Sequence, residues 1–428
     1  MRQPSAEFLG DIIRRYRPAL TRYEEIYRKI HQNPELSLEE HETASLVERH
    51  LKELSFTDVK SRIGGTGVVG ILENGRGPVV LLRADMDALP MEERTGLPYS
   101  SHKTAKGEDG KVSPVFHGCG HDMHTSCLLA CADLLSAAKS TWHGTVVCLF
   151  QPAEENFRGA RAMVEDGLFQ KIPKPSVLLG QHVVKRKTGT IAVKSGNILT
   201  ACDRFQVRIH GRGGHGSNPA NCKDPIVAGA HIIGQLQTVV SREVNPADFA
   251  VLTCASFTAG SPGVSVIPDY ADLTVDMRSY TPDVRERITT AAKRIVEVGC
   301  EAFGMPKKPE YLDDRSTPST VNDVATVQAV QGTFSSYFSG MLSDTDPGTA
   351  SEDFAVLAEP FSTPYAFWNF GGIGKERWEE AERKGKLDEI PANHSSGFYP
   401  DIEPTLQTGT DAMALAALTF LKVKDSNL

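Results

Sequence analysis

The segment Val79-Val80-Leu81-Leu82-Arg83-Ala84-Asp85-Met86-Asp87 passes from an apolar run of strand length directly into alternating acids. Three further runs share the first half of that pattern, Gly67 to Leu72, Thr145 to Phe150 and Val177 to Leu179, and each predicts a strand. Between the Val79 and Thr145 runs, Thr125 to Ala138 has the apolar spacing of a helix. Strands interleaved with helices predict an α/β fold with a mostly parallel sheet.

Toward the N-terminus, apolar residues recur at three- and four-residue steps from Glu7 to Leu54, punctuated at Pro18 and Asn33-Pro34, so helices are expected there. Met1 to Leu20 mixes charged and apolar residues, lacks the continuous apolar core of a secretory signal and reads as a first helix. Near Thr200 the character changes. Phe205 to Ile209 alternates like a half-exposed strand, Pro225 to Val240 reads as an amphipathic helix, Asp272 to Arg278 alternates again, and Pro282 to Phe303 is helical. This β-α-β-α order predicts a small α+β module, residues 201–314, inserted into a larger sheet domain formed by residues 1–200 and 315–428. Asp323 to Phe338 then reads as a helix, Tyr365 to Phe370 as a strand and Leu406 to Leu421 as a closing helix, while the charged Gly374 to Leu387 reads as a solvated surface excursion.

Two domains suit a chain of 428 residues, which exceeds what one core usually organises. A formal net charge of -8 argues against general affinity for nucleic acid or anionic membrane. No apolar run approaches the roughly 20 residues that span a bilayer. Eight cysteines without a signal or regular framework read as reduced thiols in the cytoplasm, with Cys127, Cys131, Cys148 and Cys254 in apolar, core-like surroundings. The terminal Ser426-Asn427-Leu428 resembles the peroxisomal Ser-Lys-Leu address except for its central Asn.

Ligands of open α/β sheets gather outside the carboxyl ends of the strands. Three apolar runs lead there into metal-type residues: Asp85 and Asp87 after Leu82, Glu154 and Glu155 after Phe150, and His182 after Leu179. A fourth group, His117-Gly118-Cys119-Gly120-His121-Asp122-Met123-His124, precedes the central helix, and its glycines permit tight bends. Cys and His two apart can meet one ion or bridge two. Taken singly, Cys119 reads as a buried thiol, each His as a satisfied polar residue and Glu154-Glu155 as a solvated acidic turn. Four clusters at one end of one sheet favour a metal site. In the pair Glu154-Glu155 one carboxylate can bind metal while its neighbour holds the water that metal acidifies.

The chain resembles the dinuclear metallopeptidases of the peptidase M20 family, specifically the amidohydrolase branch with hippurate hydrolases and auxin-conjugate hydrolases. The resemblance rests on His31-Gln32-Asn33-Pro34-Glu35-Leu36-Ser37, the Arg83 to Pro90 and Gly118 to Thr125 segments, Gln151-Pro152-Ala153-Glu154-Glu155, Gly211-Arg212-Gly213-Gly214-His215-Gly216, Ser351-Glu352-Asp353-Phe354 and Asn393-His394-Ser395. It implies that Cys119, His121, Glu155, His182 and His394 hold two divalent ions, zinc or manganese, and that Glu154 is the general base. It places Asp87 beside the site as the acid that orients a ligand, and it alone singles out His394. It also implies that the inserted module is a lid that makes a homodimer, with His215 stabilising the oxyanion in the partner's site.

Substrates of the family end in an amino-acid carboxylate, for which Arg278 is the candidate clamp and an exposed strand arginine the alternative. One departure is Ser265-Val266-Ile267-Pro268, where many relatives have Asn in the first position. The expected reaction is hydrolysis of an N-acyl amino acid or amino-acid conjugate by a metal-activated water, with Glu154 taking and returning the proton. A dipeptidase, an amide synthase or acyl transferase on the same scaffold, and a metal-free binding protein are the rivals.

Overall fold

The computed structural model describes residues 5–54, 56–107, 110–260 and 263–424. The tripeptide Ser426-Asn427-Leu428 and residues 1–4 of the expected first helix lie outside the described residues. The chain divides into two compact units, one of Met1–Ile198, Val321–Asp346 and Asp353–Leu428, the other of Leu199–Thr320 and Pro347–Glu352. The short return of Pro347–Glu352 carries no local signal in the sequence.

The first unit is an α/β domain around a nine-stranded sheet. Its middle is parallel, in the order Trp142–Gln151, Val79–Asp85, Val177–Lys187 and Tyr365–Ile373. These strands are apolar almost throughout because both faces are covered. Toward one edge the sheet turns antiparallel, Gly67–Asn74 pairing with Trp142–Gln151 and Asp58–Ile63 with Gly67–Asn74. The Asp58–Ile63 strand was not legible, since only Ile63 of it is buried.

The central helix, His121–Ala137, is enclosed nearly all round, packed by Ile402–Phe420 and Thr21–Gln32. Leu128, Leu129, Leu134 and Leu135 are fully buried in it, each contributing about 2 kcal/mol of apolar burial. Helices Ala6–Tyr16, Thr21–Gln32 and His41–Glu53 fill the N-terminal region where the three- and four-residue steps occur. The charged segment after Gly374 is a helix, Lys375–Arg383, with no buried residue. Among the described residues no helix is long and apolar enough to cross a membrane.

The second unit is a four-stranded antiparallel sheet in the order Ala250–Ala259, Tyr270–Ser279, Ala201–His210 and Glu310–Thr317. Helices Pro225–Leu236 and Pro282–Ala302 cover one face, packing Ile232, Ile288 and Val296 against Phe205, Val207 and Val275. The β-α-β-α expectation is therefore short of two strands, both at the sheet edges. A bulge after Cys254 interrupts the alternation of Ala250–Ala259 and Glu310–Thr317 is mostly polar, so neither offers a clear period of two in hydrophobicity.

Candidate metal centre

The parallel strands end at different heights, and the site occupies the step. Asp85 closes its strand and Asp87 follows two residues later, while Glu154 and Glu155 lie in the turn after Gln151. His182 differs from expectation by lying inside a strand. Val177–Lys187 runs on because Tyr365–Ile373 pairs with it as far as Lys187, whereas its ladder with Val79–Asp85 stops at Gly180. His182 thus still projects beyond the end of one neighbouring strand.

The turn bearing the two glutamates is wound tightly. Ala153 has φ of 49°, and its carbonyl accepts from the amides of Arg158 and Gly159. Gly159 is required there, because a Cβ would stand 1.5 Å from the Pro152 carbonyl oxygen. Across the site, Gly120 caps the central helix at φ of 89° and delivers Cys119 and His121 together. His394 arrives from a distant turn, its amide donating to the Gly118 carbonyl at 2.8 Å.

These segments bring together Cys119, His121, Glu154, Glu155, His182 and His394. Cys119 Sγ lies 3.3 Å from His182 Nε2 and 3.2 Å from His394 Nε2. His394 Nε2 lies 3.4 Å from Glu155 Oε2, and His121 Nε2 lies 3.8 Å from Glu154 Oε2 and 3.9 Å from Glu155 Oε1. Three groups that could hold a metal ion overlap here: Cys119 with His121 and His182, Cys119 with Glu155 and His394, and His121 with Glu154 and Glu155.

The outward-facing ring nitrogens settle the protonation pattern. His182 Nδ1 faces the Val183 carbonyl at 2.8 Å and His121 Nδ1 faces the Asp87 carbonyl at 2.9 Å. A carbonyl only accepts, so each Nδ1 carries a proton and Nε2 is the nitrogen turned toward the centre. Asp87 also places Oδ1 at 3.2 Å from His121 Nδ1, while its Oδ2 accepts from Ser37 Oγ at 2.7 Å and the Glu155 amide at 3.0 Å. A carboxylate so placed would orient the His121 ring toward an ion at Nε2.

Buried polar atoms ordinarily find hydrogen-bond partners, yet among the described residues His121 Nε2 and Glu155 Oε1 have no hydrogen bond. Both face the cluster. Burial works against charge on His121, but Asp85, Cys119 and Asp87 outweigh it and hold its pKa well above the ordinary value. Hydrogen bonds to Cys119 and Glu155 likewise raise His394 to about 10. Burial, with the His124 and His121 rings beside it, pushes His182 well below the ordinary value. Crowded carboxylates and a thiol that pull protons onto imidazoles are the field a divalent cation satisfies, and the soft and hard donors present fit such ions.

His124 and Asn393 stood in the sequence reading only as motif members without a role, because they bond peptide groups that residue type does not announce. His124 is no ligand: Nε2 accepts from the Val183 amide at 2.8 Å and Nδ1 donates to Asp85 Oδ1 at 2.6 Å. Asp85 also takes Arg83 Nη1 at 2.6 Å.

His215 and Arg278 belong to the second unit. His215 is exposed in the short strand Gly214–His215, paired with Val266–Ile267 of the segment that departs from the relatives' pattern. Its Nδ1 accepts from the Ser217 amide at 3.1 Å, which leaves Nε2 as the ring's donor. Arg278 forks Asp276 with Nε at 2.7 Å and Nη2 at 3.0 Å, and its Nη1 donates to Ser351 Oγ at 2.6 Å.

The sequence pattern of peptidase family M20/M25/M40 matches residues 81–392. Among curated proteins, an N-acetyl-L-cysteine deacetylase of Bacillus subtilis is 36% identical over 362 residues, 82% of this chain and 81% of the relative. A hippurate hydrolase of Campylobacter jejuni is 36% identical over 350 residues, 81% of this chain and 87% of the relative. Among solved structures, Bacillus subtilis YxeP, described as a dinuclear metal-binding peptidase of the M20 family, superposes with a TM-score of 0.69 at 28% identity, covering 93% of this chain and 97% of YxeP.

Proposed function

The chain belongs to peptidase family M20/M25/M40, and on that premise we propose that it is a two-metal hydrolase of the amide bond in N-acyl amino acids or amino-acid conjugates. The observation that carries the reading is the pair of buried atoms without a hydrogen bond, His121 Nε2 and Glu155 Oε1, facing Cys119, His182 and His394. Those five residues would hold the two ions. Thiolate and imidazole donors favour zinc, and the carboxylates admit manganese. Ions bound there polarise an amide carbonyl and lower the pKa of water.

The chain's own groups do the rest. Glu154, 5% exposed at the rim of the cluster, accepts the proton of the attacking water and returns it to the leaving nitrogen, so the products are a carboxylate and a free amino acid. Asp87 fixes the ring of His121. His215 would serve the site of the partner subunit, donating Nε2–H to the oxyanion, consistent with the tautomer its Ser217 contact selects. Arg278 receives the substrate carboxylate by exchanging part of its contact with Asp276 and Ser351. We further infer a homodimer through the second unit, where Ala250–Ala259 is an edge strand, and a reducing, cytoplasmic location, with all eight thiols unpaired.

Acyl amino acids are preferred to dipeptides because the two relatives are named for acyl substrates. Hydrolysis rates on N-acetyl, N-benzoyl and dipeptide substrates, with metal content measured in parallel, test the reading. Faster dipeptide cleavage would move the activity to a dipeptidase, and amide formation from acid and amine beyond the hydrolytic equilibrium to a synthase. Glu154→Gln is expected to keep both ions and lose turnover.

A further inference from the structure

Val183, the residue after His182, is held at every group it owns. Its amide donates to His124 Nε2 at 2.8 Å. Its carbonyl takes His182 Nδ1–H at 2.8 Å and Asn393 Nδ2 at 3.0 Å. Its side chain fills the space left by two glycines, since a Cβ on Gly120 would meet Val183 Cγ1 at 2.4 Å and one on Gly372 would meet Cγ2 at 2.7 Å.

Asn393 Nδ2 has two hydrogens, and the second partner is the Cys119 carbonyl at 3.0 Å. One amide group therefore joins the loop of Cys119 to the strand of His182, from the residue preceding His394. The three segments that carry Cys119, His182 and His394 meet at this NH2. A carboxamide suits the position for a chemical reason: both partners are carbonyl oxygens, so only a group with two donors satisfies them. A carboxylate of the same size would confront two carbonyl dipoles with negative charge.

We propose that Asn393 is a positioning residue that sets the spacing of Cys119, His182 and His394 for the ion they share, with His124, oriented by Asp85, holding Val183 from the opposite side. The inference rests on the two-metal reading above. Residues that orient ligands typically influence metal affinity by 10- to 100-fold, so an effect of about that size is expected at one ion.

The experiment compares Asn393→Leu, Asn393→Asp and Asn393→Ser with wild type, titrating each metal-free protein with zinc against a chromophoric chelator and recording the thiolate-to-cobalt absorption of the cobalt forms. Wild type is expected to take up two ions. The Leu variant should weaken one of them about 10- to 100-fold with a shifted cobalt band and unchanged melting of the metal-free protein. Asp should be worse than Leu, and Ser, with one donor left, better. Wild-type affinity and an unchanged band in the Leu variant overturn the proposal. So does an Asp variant as tight as wild type, because the two donors would then be dispensable. If wild type binds no ions, the two-metal reading fails instead, so the two failures are distinct.

Discussion

Cys119 and His394 stand 275 positions apart in the chain and meet at 3.2 Å, Sγ to Nε2. Cys119 also touches His182 at 3.3 Å, so it belongs to two of the overlapping groups while His394 belongs to one. Cys119→Ala is therefore expected to lower metal content and to cut kcat/KM by more than about 100-fold, since direct ligands matter more than the groups that orient them. His394→Ala should retain more metal than Cys119→Ala after the same dialysis. Equal retention of two ions in both variants would sink the ligand assignment.

Gly159 lies outside the cluster, yet its Cβ would stand 1.5 Å from the Pro152 carbonyl, so any side chain must displace the turn that carries Glu154. A shift near 1 Å in a catalytic group costs about 100-fold in rate. Gly159→Ala is expected to lower kcat by about that factor on an N-acyl amino acid. An unchanged kcat would mean that Glu154 tolerates its turn moving.

The four parallel strands were legible because burial on both faces demands uninterrupted apolar runs such as Val79 to Leu82. The strands that escaped notice, Asp58–Ile63, Ala250–Ala259 and Glu310–Thr317, share a different physical situation: they bury little, so polar residues such as Asp313 and Asp314 occupy positions that a core strand would give to Val or Ile. Within the site, residues that follow apolar runs announced themselves. His394 did not, lying in a polar turn at φ of 66°, and was reached only through family resemblance. Asn393 and His124 showed no role within their motifs for a further reason, since the carbonyls, amide and Asp85 carboxylate they bond are brought near by tertiary folding.

His50 gives a pH dependence with a definite sign. Burial, reinforced by Arg22, pushes its pKa down to about 4. Tyr23 donates its hydroxyl proton to Asp133 at 2.7 Å and faces His50 Nε2 at 3.2 Å, an arrangement a neutral imidazole satisfies by donating. Between pH 6.5 and about 4 the unfolded chain binds a proton the native state refuses, so the stability is complete above 6.5 and lost as pH falls. At about 1.4 kcal/mol per pH unit, the drop from pH 7 to pH 5 attributable to His50 is about 2 kcal/mol. Urea unfolding at both pH values should show His50→Gln losing less stability than wild type by roughly that amount, and parallel losses would refute it.

Arg17 closes the first helix against the last one. Its Nε and Nη2 each lie 2.7 Å from an oxygen of Asp411, and Tyr337 joins them, accepting from Arg17 Nη2 and donating to Asp411 Oδ2 at 2.9 Å each. Asp411 is 1% exposed, and burial already pushes its pKa up in spite of the guanidinium. Removing only the cation leaves a buried carboxylate that must stay unpaired or take up a proton, a change that costs about 3 to 5 kcal/mol. Replacing both charges by apolar groups removes the penalty together with the pair. Arg17→Met is accordingly expected to destabilise the protein by about 3 kcal/mol in urea unfolding, and Arg17→Met combined with Asp411→Leu to recover most of that loss. A single variant within 1 kcal/mol of wild type would show that Asp411 never depended on Arg17; a double variant no better than the single would show that the pair contributes packing rather than charge compensation.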